Sequence, residues 1–336
     1  MAESNLDGVG ILRTTTLDGV VVVNKPTGWT SHDVVAKMRG IAGTKSVGHL
    51  GTLDPIATGV LPVMVGQATR LARYFDKSEK AYEAVVRFGF ATTTYDREGE
   101  PTTPVTEVCV TADQIEACLA PMRGDISQMP PPVSAKKING VPAYKLARKN
   151  QPVNLTAVPV SIYELTLLWV EGDRIRIRVR CSAGTYIRSI AHELGVALGC
   201  GAHVVELLRT ASGAFELRHA HTLEDLQALK EEGRLREALL PMAELLPQFP
   251  PAYIDDVTAR QVRQGRDFSV SAFRARAGSE FVKALGPDGE LVAIGKIALP
   301  HVYHPVVVFG VGSEAPMSGP AGPAARSHRP TPDPED

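Results

Sequence analysis

The sequence predicts an α+β fold in two parts, a large mixed domain followed by a small β-rich module. Three observations support this prediction. Between about residues 18 and 247, apolar runs of strand type alternate with stretches of helical periodicity, without a long break. The proline-rich segment LLPQFPP at 245–251 is typical of a hinge. Beyond it, FVKALGPDGELVAIGKI contains two strand-like runs joined by a Pro-Asp-Gly turn, which predicts a β hairpin within a module at 252–310.

The composition indicates a globular protein with a sizeable core, since 44% of the residues are hydrophobic and 22% are charged. Lys and Arg total 36 against 37 Asp and Glu, so the net charge of -1 gives no overall reason to expect a nucleic acid or a membrane as partner. The four cysteines form no CxxC pair, which favours reduced, buried thiols over a zinc site or a disulfide framework. No signal-peptide pattern or membrane-spanning run occurs, and we expect a cytoplasmic protein.

The first predicted elements are a strand and a helix. GVVVVNK at 19–25 is a β-branched run of buried-strand type. Four apolar residues then recur at helical spacing in SHDVVAKMRGI: Val34, Val35, Met38 and Ile41. TADQIEACLAPM at 111–122 opens with Thr111 and Gln114 at the spacing of a capping box, which predicts a second helix. A third helix is expected in GTYIRSIAHELGVALG, ending at Gly199.

The stretch RIRIRVRC at 174–181 alternates strictly and predicts a strand with one apolar face and one arginine face. The arginine face is interpreted first as a solvated outer surface and second as an RNA contact.

The segment at 128–153 interrupts the regular pattern with prolines and carries five basic residues and no acid between positions 134 and 149. Its apolar residues favour a packed binding loop over a linker, and we expect Lys136, Lys137 and Lys145 to contact a phosphate backbone. The N-terminal extension at 1–17 and the proline-rich tail at 311–336 lie outside the predicted fold, and the tail should be disordered.

Several common catalytic motifs are absent from the sequence, including the P-loop, the dinucleotide fingerprint, HExxH and GxSxG. His219 and His221 are interpreted as surface histidines, because no cysteine or acidic cluster lies nearby. His192 falls within a predicted helix, where exposure is expected. We therefore predict neither a metal nor an organic cofactor.

One acid, Asp54, stands among glycines, prolines and apolar residues in VGHLGTLDPIATGVLPV at 47–63. Pro55 disfavours the helical region for Asp54, while Gly51 and Gly59 allow backbone paths closed to other residues. The side chain is therefore held in one direction. An Asp-Pro pair beside glycine is also an ordinary turn signal, and these residues alone favour the turn.

The chain resembles the TruB-type tRNA pseudouridine synthases, the enzymes that modify uridine 55 in the T-loop. The stretch GHLGTLDPIATGVLPVMVGQATR matches their catalytic block. Further collinear matches within about residues 18–215 are NKPTGWTSHDVV, EKAYEAVVRFG, TTYDREG, PPVSA-x-K, CSAGTYIRSIAHELG and GCGAHVVELLRT. The resemblance implies the pseudouridine synthase fold, a large mixed, mainly antiparallel sheet flanked by helices and loops.

The resemblance implies roles for individual residues. Asp54 corresponds to the catalytic aspartate, Tyr82 to the tyrosine that stacks on the target base and is implicated in its deprotonation, and Arg188 to the arginine paired with the aspartate. The remaining implied substrate or network residues are Tyr186 in the pocket, Arg70 and Asp96 in the active-site network, Leu207 in the pocket wall and His49 at the T-loop. Leu208 and Thr93 depart from the pattern of many relatives without removing a proposed catalytic group.

The implied reaction breaks the bond from C1′ to N1, turns the uracil and rejoins it through C5. Asp54 could add to the sugar, stabilise an oxocarbenium-like species or remove the 2′ proton, and the sequence does not choose among these. A guanidinium beside the acid favours the ionised carboxylate and fixes its orientation. The target nucleotide must be turned out of its loop before the site can reach it.

The resemblance also implies an RNA-binding domain of the PUA type at the C-terminal side. Here that segment is short and not obviously basic, so we expect a reduced PUA-like module. The expected partner is the T-arm of tRNA, and the expected state is a monomer. The alternative function is a non-catalytic protein that binds or folds tRNA, while a nucleoside hydrolase is disfavoured because no second catalytic carboxylate is evident.

Overall fold

A computed structural model describes residues 16–134, 137–138, 141–142, 155–270 and 279–310. Most of the predicted basic loop, including Lys136 and Lys145, lies outside the described residues, and for Lys137 only its place in a short strand is described. Nearly all of the N-terminal extension and the whole C-terminal tail also lie outside the described residues.

The described part of the chain contains five α-helices and seventeen strands. The helices are α1 (Ser31–Ala42), α2 (Ala112–Leu119), α3 (Ile187–Ala197), α4 (Leu223–Glu231) and α5 (Asp256–Arg263). The strands are β1 (Gly19–Lys25), β2 (Val47–His49), β3 (Ala57–Val65), β4 (Lys80–Phe88), β5 (Gly124–Gln128), β6 (Lys137–Ile138), β7 (Val141–Pro142), β8 (Val158–Glu171), β9 (Arg174–Cys181), β10 (Ala202–Ser212), β11 (Phe215–Glu216), β12 (Leu240–Pro241), β13 (Pro251–Tyr253), β14 (Phe268–Ser269), β15 (Phe281–Leu285), β16 (Leu291–Leu299) and β17 (Val302–Val308).

The main sheet has ten strands, eight of them in the order β12-β1-β3-β10-β4-β9-β8-β5. β2 pairs with β3, and β11 pairs with β10. β3 and β10 are parallel, whereas every other pair described in this sheet is antiparallel. This arrangement confirms the predicted large, mixed, mainly antiparallel sheet. The parallel pair lies at its centre and brings together residues that are about 150 positions apart in the chain.

The helices predicted from capping and periodicity are confirmed. α1 begins at Thr30, whose side chain accepts a hydrogen bond from the Asp33 amide in a capping box, and its four periodic apolar residues are buried. α2 has the predicted capping box between Thr111 and Gln114. α3 ends before Gly199, which has a φ of 71°.

The alternating strand β9 is confirmed as well, with its apolar residues buried and its arginine face partly or fully exposed. Neighbouring carboxylates pair with this face, because Arg178 lies 3.0 Å from Glu83 and Arg180 lies 2.9 Å from Glu79. The pairing favours the interpretation as a solvated outer surface.

Apolar side chains cover both faces of the main sheet. Residues from α1, α2, α3 and α4 pack on one face. On the other face, β15, β16 and β17 contribute to a second cluster that includes Val20 and Val60 of the main sheet. These strands belong to a five-stranded sheet in the order β13-β15-β16-β17-β14, which contains the predicted hairpin.

The predicted hinge at 245–251 is a packed connection. Leu245 and Leu246 are buried in the cluster shared by the two sheets. Lys283 of β15, itself buried, donates hydrogen bonds to the carbonyls of Ala243 and Leu245. The C-terminal sheet is therefore tied directly to the segment that leads into it.

The cysteines are all free, but only Cys181 is buried, and Cys109 is exposed, in contrast to the expectation of four buried thiols. None of the helices in the described ranges combines the length and the apolar character needed to cross a membrane.

Gly59 shows how closely β3 and β10 approach each other. Its φ is +95°, and a Cβ at this position would lie 2.3 Å from the carbonyl oxygen of Arg209. Glycine avoids both the backbone strain and the collision.

We expect Gly59→Ala to lower the free energy of unfolding by about 2–5 kcal/mol, through strain and overpacking together. Gly43→Ala is the matched control, because Gly43 has a φ of +65° with no atom within 4 Å of the added Cβ. The control should lose about 1–2 kcal/mol. Urea unfolding of both variants measures the difference, and equal losses would contradict the steric argument.

Candidate active site

The loop that carries Asp54 is held from one side by Arg209 of β10, which is 1% exposed. The guanidinium donates hydrogen bonds to the carbonyls of Gly51 at 3.1 Å and Thr52 at 3.4 Å. Its Nε donates to the carbonyl of Val60 at 2.7 Å. One buried side chain therefore fixes both the loop and the strand that follows it.

Two further buried side chains hold the loop from the other side. The Ser31 hydroxyl, at the start of α1, accepts from the amide of Leu53 at 2.8 Å and donates to its carbonyl at 3.1 Å. Lys25 at the end of β1 donates to the carbonyl of Pro55 at 3.3 Å. Burial lowers the pKa of Lys25 to about 8, although the charge of Asp54 opposes this shift. The backbone on each side of the acid is thus fixed.

Arg188 of α3 lies against the carboxylate of Asp54, as the resemblance implied. Its Nε is 2.9 Å from Oδ2 of Asp54, in an ion pair that is not aligned as a hydrogen bond. Nη1 donates a hydrogen bond to the carbonyl of Thr94 at 2.8 Å, and it lies 3.3 Å from Oδ2 of Asp96. Nη2 donates a hydrogen bond to the carbonyl of Val133 at 3.1 Å. The Arg188 side chain is 5% exposed and that of Asp54 is 35% exposed. A fixed, buried cation therefore orients a carboxylate that remains accessible.

Asp96 completes this charge network and is itself held in place. Its Oδ1 accepts hydrogen bonds from the Thr94 hydroxyl at 2.6 Å and from the amide of Glu98 at 3.0 Å. Its Oδ2 is left facing Arg188. Because Asp96 is only 3% exposed, its partners compensate for the loss of water around the carboxylate.

The residue before Asp96 is held in a strained conformation by stacking. Tyr95 has a φ of 63°. Its ring stacks on His192, with centroids 3.8 Å apart and planes 5° apart. His192 lies one turn beyond Arg188 on α3, and burial lowers its pKa. The expected exposed histidine is therefore half-buried, and it braces the turn that presents Asp96.

The start of α3 is anchored by Gln128, a fully buried residue at the end of β5. Its Oε1 accepts from the amide of Tyr186 at 2.8 Å, and its Nε2 donates to the carbonyl of the same residue at 3.0 Å. Ser189 donates to the carbonyl of Met129 at 2.6 Å. These bonds fix the residue that precedes the helix carrying Arg188.

Asp54 and Arg188 line a cleft of about 330 Å³, together with Tyr82, Tyr186 and Leu207. Tyr82 comes from β4 and Leu207 from the neighbouring β10. Burial raises the pKa of Tyr82, against an opposing effect of Arg209, so Tyr82 is a neutral phenol at neutral pH. The accessible acid Asp54 and the buried cation Arg188 thus share this cleft with apolar and aromatic side chains.

Comparison with known proteins identifies the family. The model of the TruB family pseudouridylate synthase N-terminal domain matches residues 39–187, and that of the tRNA pseudouridylate synthase B C-terminal domain matches 188–247. A tRNA pseudouridine synthase B of Solibacter usitatus (strain Ellin6076) is 58% identical over 87% of this chain and 100% of its own length. This chain belongs to the TruB family. A relative of the same name from Thermobifida fusca (strain YX) is 42% identical over 87% of this chain and 98% of its own length.

Solved structures support the TruB-family fold. The chain is similar to one in an H/ACA RNP bound to a substrate RNA containing 2′-deoxyuridine, with a TM-score of 0.65 and 29% identity over 89% of this chain and 86% of the other. It is also similar to one in an archaeal box H/ACA sRNP Nop10-Cbf5 complex, with a TM-score of 0.63 and 28% identity over 89% of this chain and 87% of the other.

Among the other predicted site residues of this TruB-family chain, His49 lines the cleft and Arg70 does not. Burial lowers the pKa of His49, with a smaller contribution from the charge of Arg209. Arg70 donates to the carbonyl of Val308 and lies 5.4 Å from the ring centroid of Phe309. The described contacts of Arg70 are therefore with the C-terminal sheet and not with Asp54, and its part in the active-site network stays a prediction.

Four residues that hold the Asp54 loop and the start of α3 were not predicted as functional residues from the sequence. These are Lys25, Ser31, Gln128 and Arg209. A signal was present for two of them, because Lys25 and Arg209 are charged residues within the apolar strand runs VVVVNK and VVELLRT. A charge inside a buried strand requires a partner, and here the partners are the loop carbonyls.

The burial of His192 should make the stability of the folded protein depend on pH. The folded protein favours the neutral ring, so the unfolded chain takes up a proton more readily as the pH falls below about 6.5. Stability should therefore be lost on acidification from about pH 7 to 5. His192→Phe keeps a stacking ring and should lose less stability over this range in urea unfolding.

His219→Phe is the matched control, because His219 is an exposed histidine. This variant should follow the wild-type pH dependence. If the stability of His192→Phe also follows the wild-type pH dependence, then burial of His192 does not cause the loss of stability on acidification.

Proposed function

We propose that this TruB-family tRNA pseudouridine synthase, an isomerase, acts on uridine 55 in the T-loop of tRNA, as a monomer in the cytoplasm. The observation that carries the proposal is the accessible carboxylate of Asp54 paired at 2.9 Å with the buried guanidinium of Arg188. Tyr82 and Leu207 line the same cleft, which suits an everted uracil.

Asp54 acts at the sugar of the target nucleotide. As the bond from C1′ to N1 breaks, positive character develops at C1′, and a carboxylate held in place stabilises it without reorganisation. Arg188 orients the carboxylate through its ion pair. The covalent, oxocarbenium and glycal routes all use this carboxylate, so the geometry is compatible with each of them.

Tyr82 and Leu207 act on the base. The ring of Tyr82 is the stacking surface for the uracil, and Leu207 provides an apolar wall that keeps water from the detached base. Because burial raises the pKa of Tyr82, the phenol enters the reaction neutral. A neutral phenol is a poor proton acceptor. For Tyr82 to help remove the C5 proton, RNA binding must therefore change its surroundings so that its pKa falls.

Recognition of the T-arm is distributed over the chain. The proposed catalytic domain at 18–247 carries His49 in the cleft and the basic loop with its lysines. The C-terminal module at 252–310, proposed as PUA-like, contacts RNA further from the target nucleotide. Shape and backbone contacts of this kind select a folded loop over an unstructured strand.

We expect Asp54→Asn to abolish tritium release from tRNA labelled at C5 of uridine while tRNA binding is retained, because the variant keeps the shape and loses the charge. Asp76→Asn is the matched control, since Asp76 is a second carboxylate that lines the cleft and is exposed. The control should retain activity. Wild-type protein that binds tRNA without releasing tritium would instead support the non-catalytic alternative.

We expect a T-arm hairpin to be a substrate on its own and a hairpin with cytidine at position 55 to give no product. Mapping of pseudouridine in a full tRNA should place the modification at position 55. Modification at another uridine would contradict the proposed specificity, and light scattering in the absence of RNA tests the monomer.

A further inference from the structure

Lys80 is a buried lysine in the cleft that the proposed reaction has not used. It stands two residues before Tyr82 on β4, so both side chains lie on the same side of the strand, and both line the cleft. Lys80 is 9% exposed. Its Cε lies 3.6 Å from the position that a Cβ on Gly51 would occupy, which places it against the loop of Asp54.

The charge of Lys80 has no carboxylate partner within the described residues. No Asp or Glu oxygen lies within 4.0 Å of its Nζ there, and the hydrogen-bond acceptor described for Nζ is the Ser212 hydroxyl, at 2.8 Å. Burial lowers the pKa of Lys80 to about 8, and the like charge of Arg209 adds to this effect. The facing thiol of Cys181 supplies no negative charge, since burial raises its pKa to about 11.

The other buried lysines of the described chain differ from Lys80. Lys25 donates to three backbone carbonyls, and Lys283 donates to two. Arg209, the second cation beside Tyr82, uses its guanidinium on loop carbonyls. Lys80 has one described acceptor for its three N–H donors, and no carboxylate balances its charge in the described residues. A buried, uncompensated charge is costly unless a partner arrives.

The proposed reaction forms a negatively charged uracil in the cleft that Lys80 lines. When the bond from C1′ to N1 breaks, its electron pair stays with the uracil, and the negative charge spreads over N1, O2 and O4. A ring electron pair then forms the bond from C5 to C1′. Finally, the C5 proton leaves to a base and N1 takes up a proton, so the product is neutral.

We propose that Lys80 donates a hydrogen bond to a carbonyl oxygen of the target uracil and stabilises its negative charge while the base is detached. This role rests on the proposed function. It also accounts for a buried ammonium beside the stacking tyrosine, because a preorganised cation in a dry cleft acts most strongly on charge that develops during the reaction.

The test compares wild type, Lys80→Met and Lys80→Arg by single-turnover tritium release and by the Kd for T-arm RNA. Met matches the length of Lys without its charge, and its rate should fall about 100-fold with little change in Kd. Arg keeps the charge and should recover part of the rate. Lys283→Met is the control for the stability lost on removing a buried lysine, and with saturating RNA its single-turnover rate should stay well above that of Lys80→Met.

A second measurement addresses the protonated form. Wild-type activity should decline as the pH rises above about 8. Lys80→Arg should decline less, because arginine stays protonated while Lys25, whose pKa is also about 8, is present in both proteins. This comparison remains informative if Lys80→Met does not fold.

Three results separate the possibilities. An inactive wild type would refute the proposed function and this role with it. An active wild type with an unchanged rate in Lys80→Met would refute the role alone. A weaker Kd with a shallower salt dependence and an unchanged single-turnover rate would show a phosphate contact instead.

Discussion

Five consecutive carbonyl groups, from Gly51 to Pro55, accept hydrogen bonds from donors outside that segment, and the placement of Asp54 depends on this. Leu53 in this segment is buried, and an unpaired carbonyl there would be costly. The three side chains among these donors come from β1, α1 and β10, which are far apart in the chain: Lys25, Ser31 and Arg209. The conformation of the loop therefore depends on contacts from distant parts of the chain. The same donors explain why a short stretch rich in glycine can hold one carboxylate in a single direction.

The charge around the cleft differs from that of the whole chain. The net charge of the protein is -1. Around Asp54 and Asp96 the fold places four buried cations: Lys25, Lys80, Arg188 and Arg209. Three of them are held by backbone carbonyls or carboxylates, and their geometry is set before any substrate arrives. A local excess of positive charge in a partly dry cleft suits an RNA substrate, and the overall composition gives no sign of it.

Local patterns predicted local structure well. The capping boxes of α1 and α2, the alternation of β9 and the hairpin of β15 and β16 each depend on residues close in sequence, and all are confirmed. The parallel pairing of β3 with β10 depends on distant segments and has no local signal. Within the site, resemblance located Asp54 and Arg188. It did not give roles to Gln128 or Lys25, because these side chains bind backbone atoms, whose positions only the fold determines.

The position of Arg70 shows why the two sheets act as one framework. Its guanidinium meets the end of β17, and nearby the Gln67 side chain exchanges two hydrogen bonds with the backbone of Gly310. Leu245, Leu246 and Phe309 belong to the apolar cluster that the two sheets share. An RNA segment held by the C-terminal sheet, as proposed, would therefore keep a fixed distance from the cleft. Everting the target nucleotide costs free energy. RNA contacts made at the C-terminal sheet can offset this cost only if the two sheets keep a fixed relative position, so that binding at one site holds the nucleotide in the cleft.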